Sequence, residues 1–189
     1  VVAEVEALAV GNPSDPSTDV GPMVDERAAE RVVTWVDEAV TAGAKVLTGG
    51  TRTGATVSPT VLVDVPTDAK VWCEEVFGPV LTVQTFRTPN EAVELANHTR
   101  FGLAASVWSE SIGLALEVAP RLKAGVVWVN GANQFDAACG FGGYKESGFG
   151  REGGREGLRE YLRPVPAAAP ARKAVPARKA LARPRTITT

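Results

Sequence analysis

Two cysteines and one histidine in 189 residues leave almost no material for a metal site. Cys73 and Cys139 are far apart and form no CxxC pair, and His98 alone cannot complete a zinc ligand set. The same scarcity excludes a disulfide framework. No basic stretch leads into an apolar core near the start, so no secretory signal is visible and the expected compartment is the reducing cytoplasm. No run of about 18 apolar residues occurs, so the sequence predicts no membrane span. Aromatic residues make up only 6%. What remains is ordinary for a soluble globular domain with one core: 44% hydrophobic and 22% charged residues. Val1 stands first rather than Met, in keeping with a start inside a longer reading frame.

The net charge of −2 averages two unlike parts. Seven basic and no acidic residues stand from Arg163 to Thr189, which leaves −9 on residues 1–162. The tail carries a near-repeat, PARKAV at 170–175 and PARKAL at 176–181. Pro, Ala and like charges cannot bury a core, so disorder is expected beyond about Pro166, across a segment 166–189. No aromatic residue interleaves the basic ones, which removes the stacking component of a nucleic-acid site.

Along the body, apolar and polar periodicities alternate. Residues 1–10 read as the end of a helix or strand, and 11–22 as a turn-rich stretch with three prolines. Ala28, Val32, Val36 and Ala39 share one helical face, with Gly43 as the stop. Strands are expected at 45–48, 56–65, 80–86, 103–108 and 125–130. Thr88, Pro89 and Glu91 open a helix as N-cap, first helical residue and capping-box acid. Further helices are expected at 112–122 and, weakened by three glycines, at 151–162. The pattern is α/β, a parallel-rich sheet flanked by helices.

Three motifs then carry chemistry: GNPSDPSTDVGP at 11–22, EEVFGPVL at 74–81, and GVVWVN at 125–130 followed by FGGYKESGFGRE at 141–152. In EEVFGP, adjacent carboxylates on extended chain point in different directions, so one can reach a cleft while the other faces solvent. A carboxylate can accept from both hydroxyls of a ribose. From the residues alone, an exposed acid pair at a turn is the plainer alternative. Phe135 and Phe141, on the loop after Asn130, are either core residues or the walls of an apolar pocket. The glycines at 140, 142, 143, 148 and 150 match no phosphate loop, lacking GxxxxGK[ST] and an immediately preceding strand. Close backbone packing near a substrate mouth is their expected use.

In order and spacing the three motifs resemble the aldehyde dehydrogenase superfamily from roughly Val5 to Leu162. The resemblance implies a partial catalytic domain at 1–150 and an oligomerisation-type segment at 151–165, with the dinucleotide-binding Rossmann domain not encoded here. It implies that Glu75 holds the nicotinamide ribose of NAD or NADP, and that Phe77 packs beside the nicotinamide. It makes Phe135 and Phe141 walls of the tunnel through which an aldehyde substrate enters. The family's cysteine nucleophile stands in a GQxC-like context upstream of GNPSDP, and no such context occurs here, so no catalytic residue is assigned within this chain. Cys73 is a poor substitute because the neighbouring carboxylates disfavour a thiolate. Cys139 is given no chemistry, and both cysteines are expected to be small buried residues.

The chain alone is therefore expected to be inactive. Its expected partners are a missing N-terminal part or a homologous subunit. The alternative is a non-catalytic module that docks on a full-length relative by strand addition, with Arg159 to Val165 as the strand and Pro164 and Pro166 limiting its pairing.

Overall fold

The computed structural model describes residues 1–163. The expected disordered tail lies outside them. In chain order the elements are α1 (Val2–Glu6), α2 (Glu26–Thr41), β1 (Lys45–Thr48), β2 (Arg52–Thr53), β3 (Thr56–Val57), β4 (Thr60–Val63) and α3 (Lys70–Cys73). Then follow β5 (Val80–Val83), α4 (Pro89–Asn97), β6 (Phe101–Gly102), β7 (Ala104–Val107), α5 (Ile112–Val118), β8 (Val126–Val129), β9 (Tyr144–Lys145) and α6 (Gly154–Glu160). The α/β alternation read from the sequence is present. The two parallel pairings, β4 with β5 and β7 with β8, lie in separate sheets, and the pairs β1–β4, β2–β3 and β6–β9 are antiparallel.

Helix α2 starts where the Asp25 carboxylate accepts the Ala28 N–H at 2.7 Å and stops before Gly43, whose φ of 114° suits glycine. Its buried stripe is Ala29, Val32, Val36 and Ala39; Ala28, expected on that face, is only half-buried. The stripe packs on β4, the middle strand of β1–β4–β5. Thr60, Val61 and Leu62 are all buried, so both faces of β4 are covered. Val36, Ala39, Ala44, Leu62, Val65 and Val71 form one cluster, and Ala29, Val32 and Val57 a second. Val76 and Val80 touch both.

The strand expected across 56–65 breaks at Ser58–Pro59. Pro59 has no N–H to give a ladder, and the Ser58 N–H turns back to the Thr51 carbonyl at 2.9 Å. The buried Thr60 hydroxyl secures the corner, accepting the Gly50 N–H at 2.9 Å and donating to the Ser58 carbonyl at 2.7 Å. Helix α4 begins as the sequence predicts, with Thr88 Oγ1 accepting the Glu91 N–H at 3.2 Å. The Glu91 carboxylate reaches the N–H of Arg87 at 2.8 Å, one residue earlier than a capping box requires. The helix expected to Leu122 ends at Val118 and passes into a 3-10 turn, Ala119–Arg121, because Pro120 cannot donate.

Two expectations at the C-terminal end are corrected. Helix α6 starts only at Gly154, because Glu152 is held in an antiparallel bridge to Phe141, with both N–H to carbonyl bonds at 2.7 Å. Arg159 and Glu160 belong to α6 and Tyr161 to Arg163 form no strand, so the added strand expected at Arg159 does not begin there. The rest of that stretch, from 164, lies outside the described residues. Cys139 is exposed rather than buried; Cys73 is half-buried and donates its thiol to the Thr67 carbonyl at 2.9 Å.

Candidate functional site

The segment Glu74 to Gly78 leads from the end of α3 into β5, and its side chains alternate in and out. Glu74 is tied to Arg100 by an ion pair. Glu75 is exposed, and among the described residues its carboxylate makes no hydrogen bond or ion pair. Val76 is packed into both core clusters, and its carbonyl accepts from Arg31 Nη2 at 3.0 Å. The Arg31 guanidinium lies 5.3 Å from the centre of the Trp35 ring, which steadies it. Phe77 is 77% exposed at a φ of 50°, an uncommon backbone conformation for a bulky residue. At Gly78 the chain presses so close to Val32 that a Cβ would stand 2.9 Å from its Cγ2. The core therefore grips positions 76 and 78, which leaves the side chains of 75 and 77 on the solvent side.

A second cluster forms after β8. Asn130 turns the chain at a φ of 51° and holds the start of the next loop to Ser109, its Oδ1 accepting at 2.8 Å and its Nδ2 donating at 3.0 Å. Trp128 Nε1 donates to the Gln134 carbonyl at 3.0 Å and folds the loop back. Phe135 then meets Trp128 edge-on at 5.9 Å and Phe141 at 5.0 Å. Phe135 is 67% exposed, and Phe141 is half-buried. The core reading of both rings thus fails for Phe135.

Some of the glycines work by close approach of backbone, but Gly148 does not: at a φ of 88° it has open space where a Cβ would stand, so what needs glycine there is the conformation. A Cβ on Gly125 would collide with the Gly142 carbonyl, and one on Gly142 with the Gly150 carbonyl. Gly150 itself has open space where a Cβ would stand, so the expected close packing does not extend to that position.

The structure thus brings Phe135 and Phe141 together and presents Glu75 and Phe77 from one segment. No hydrogen bond, ion pair or ring contact among the described residues joins the two groups. An apolar cavity of about 500 Å³ opens elsewhere, lined by Phe86, Leu95, Trp108, Leu114, Val118 and Leu122 among others, and none of the four expected residues borders it. The sequence reading missed Arg31, Arg100 and Trp128. The Trp128 indole was open to suspicion, since its N–H needs a partner when half-buried. Nothing local marked the two arginines, whose partners lie 45 and 26 residues away. Chemically, a free carboxylate beside exposed aromatic surface can accept from paired hydroxyls and pack a flat ring. No group of three or more His, Cys, Asp or Glu able to hold a metal occurs among the described residues, and none of their helices is long and apolar enough to cross a membrane.

Comparison with known proteins gives the family and the fold. The family model described as "Aldehyde dehydrogenase family" matches residues 1–165. The chain is 43% identical over 164 residues to an aldehyde dehydrogenase of Enchytraeus buchholzi, covering 85% of this chain and 33% of that one. It superposes on aldehyde dehydrogenase 21 of Physcomitrella patens, solved with its reaction product succinate, at a TM-score of 0.82 and 37% identity, covering 86% of this chain and 34% of that one. Betaine aldehyde dehydrogenase of Staphylococcus aureus, solved with NAD+, gives 0.81 and 40% over the same shares. The chain spans about a third of the length of the curated relatives it matches.

Proposed function

The chain belongs to the aldehyde dehydrogenase family, and from that premise we propose that it supplies one half of an active site that oxidises an aldehyde to a carboxylic acid with NAD or NADP. In this reading Glu75 accepts from the nicotinamide ribose hydroxyls, and Phe77 packs beside the nicotinamide. Phe135 and Phe141 wall the aldehyde channel. A dinucleotide held there would supply the hydride acceptor. This chain's residues orient and exclude water: a fixed carboxylate restricts the ribose to one pose, and apolar rings favour a carbon chain over solvent. The thiol that attacks the aldehyde is contributed by polypeptide outside these residues, as is the base that activates water.

One observation carries the proposal. Of two adjacent carboxylates, Glu74 is tied up by Arg100 while Glu75 is left exposed and free to accept. A second supports the division between chains. Among the described residues β5 has a strand on one side only, and β7 and β8 pair only with each other, so sheet edges stand open to further chain. Residues 1–150 then act as catalytic-domain remainder and 151–165 as the segment turned toward a neighbouring subunit.

The purified chain is expected to give no aldehyde-dependent NAD(P)H, and to gain that activity when combined with a polypeptide supplying the nucleophile. Robust turnover by the chain alone overturns the proposal. In the active combination, Glu75→Gln is expected to slow single-turnover hydride transfer, and an unchanged rate rejects its role. Inactive complexes with a full-length relative favour the second reading, a docking module, for which the open edges also speak.

A further inference from the structure

Arg100 stands just before β6 and belongs to none of the three motifs. Its guanidinium serves two carboxylates: Nη2 pairs with Glu74, and Nη1 lies 3.1 Å from Glu146. Its own position is over-determined. The guanidinium lies 4.9 Å from the centre of the Phe101 ring. The Arg100 carbonyl accepts the Glu146 N–H at 3.1 Å. Just before Arg100 in the chain, the carbonyls of Asn97 and Thr99 accept from the Lys145 ammonium at 3.2 and 2.9 Å. Arg100 is thus a cation held on the β6–β9 corner, and Glu74 is one of the two carboxylates it binds.

The side chains of Arg100 and Glu74 keep 49% and 35% of their exposure, so the pair adds little to stability. Its effect is geometric. Extended backbone sends neighbouring side chains opposite ways, so holding Glu74 on one side fixes Glu75 on the other. One residue further on, Arg31 holds the Val76 carbonyl. Glu75 therefore lies between two arginine anchors drawn from α2 and from the β6–β9 corner.

We infer that Arg100 is a positioning residue for the cofactor carboxylate: by holding Glu74 it sets the direction in which Glu75 meets the nicotinamide ribose. The inference rests on the proposed role of Glu75, and the experiment separates the two. In the full chain, hydrogen exchange across residues 74–78 is measured for R100Q, R100K and E74Q. R100Q and E74Q are expected to exchange faster than wild type, with R100K between, and unchanged exchange in both overturns the inference. In the active combination with the nucleophile-bearing polypeptide, R100Q is expected to lower single-turnover hydride transfer by about tenfold. R100K, which keeps a cation, is expected to recover part of the loss, and KM for the aldehyde to change little. A slow E75Q beside an R100Q of wild-type rate defeats the inference and leaves the role of Glu75 standing. An E75Q of wild-type rate defeats both.

Discussion

Residues 23–83 and residues 84–163 are built on different terms. Among the described residues, ten of the twelve buried hydrophobic residues lie between Ala29 and Val71, and two, Val93 and Ala115, lie beyond. The second region turns more of its large apolar groups outward, Phe86 at 58% exposure, Trp108 at 67% and Phe149 at 73% among them, although the first also exposes Val24 and Phe77. Each region has helices and a parallel strand pair, so element content does not explain the contrast. Coverage does. β4 has strands on both sides and α2 packed on it, whereas β7 and β8 have only each other as strand partners among the described residues. The first region keeps its own core and holds Glu75 at its margin; the second offers surface that suits covering by further chain.

The largest expected test of that contrast is Leu62→Ala. Its side chain is fully buried in the middle strand, so the substitution is expected to cost about 2–5 kcal/mol in urea unfolding. Phe135→Ala, in the outward-facing region, is expected to change stability by less than about 1 kcal/mol while shifting preference toward bulkier aldehydes in the active combination. Equal costs for the two break the comparison. Next comes Thr60→Val, which leaves the Gly50 N–H and the Ser58 carbonyl without their partner and is expected to cost about 1–3 kcal/mol in the same unfolding experiment. Thr88→Ala at the start of α4 is expected to cost about 1 kcal/mol, read as faster amide exchange in α4 than in α2.

The smallest effect is one of pH. The Glu91 carboxyl is held below its ordinary value, first by the Arg87 backbone N–H and then by the Arg87 side chain. Its contribution is therefore complete above the ordinary glutamate range and is lost as pH falls through the lowered value. The stability difference between wild type and Glu91→Gln should shrink in acid, and a difference that grows there contradicts the assignment.

How much could be read in advance followed the same division. Helices α2 and α4 were legible because their start signals and apolar spacing are local: Asp25 apart, the stop at Gly43 and the Thr88–Pro89 start stood in the sequence. The break at Ser58–Pro59 was not anticipated, although the proline stood in view, because β-branched residues on both sides argued for one continuous strand. Opposed directions for Glu74 and Glu75 followed from strand geometry. Which of the two is held did not, since that depends on Arg100, placed by folding rather than by spacing. The exposure of Phe135 was equally hidden, because an isolated Phe in a sequence gives no sign of whether anything covers it.

If Phe135 and Phe141 wall the proposed channel, the close passage of Gly125, Gly142 and Gly150 has a consequence for how substrate preference can drift. At that corner main chain rests on main chain, and the peptide unit is common to every variant. Exchanging the rings at 135 and 141 alters the lining of the opening without disturbing what supports it. On that reading the width of the entrance can be retuned one side chain at a time, provided Gly125 and Gly142, which have no room for a Cβ, stay as they are.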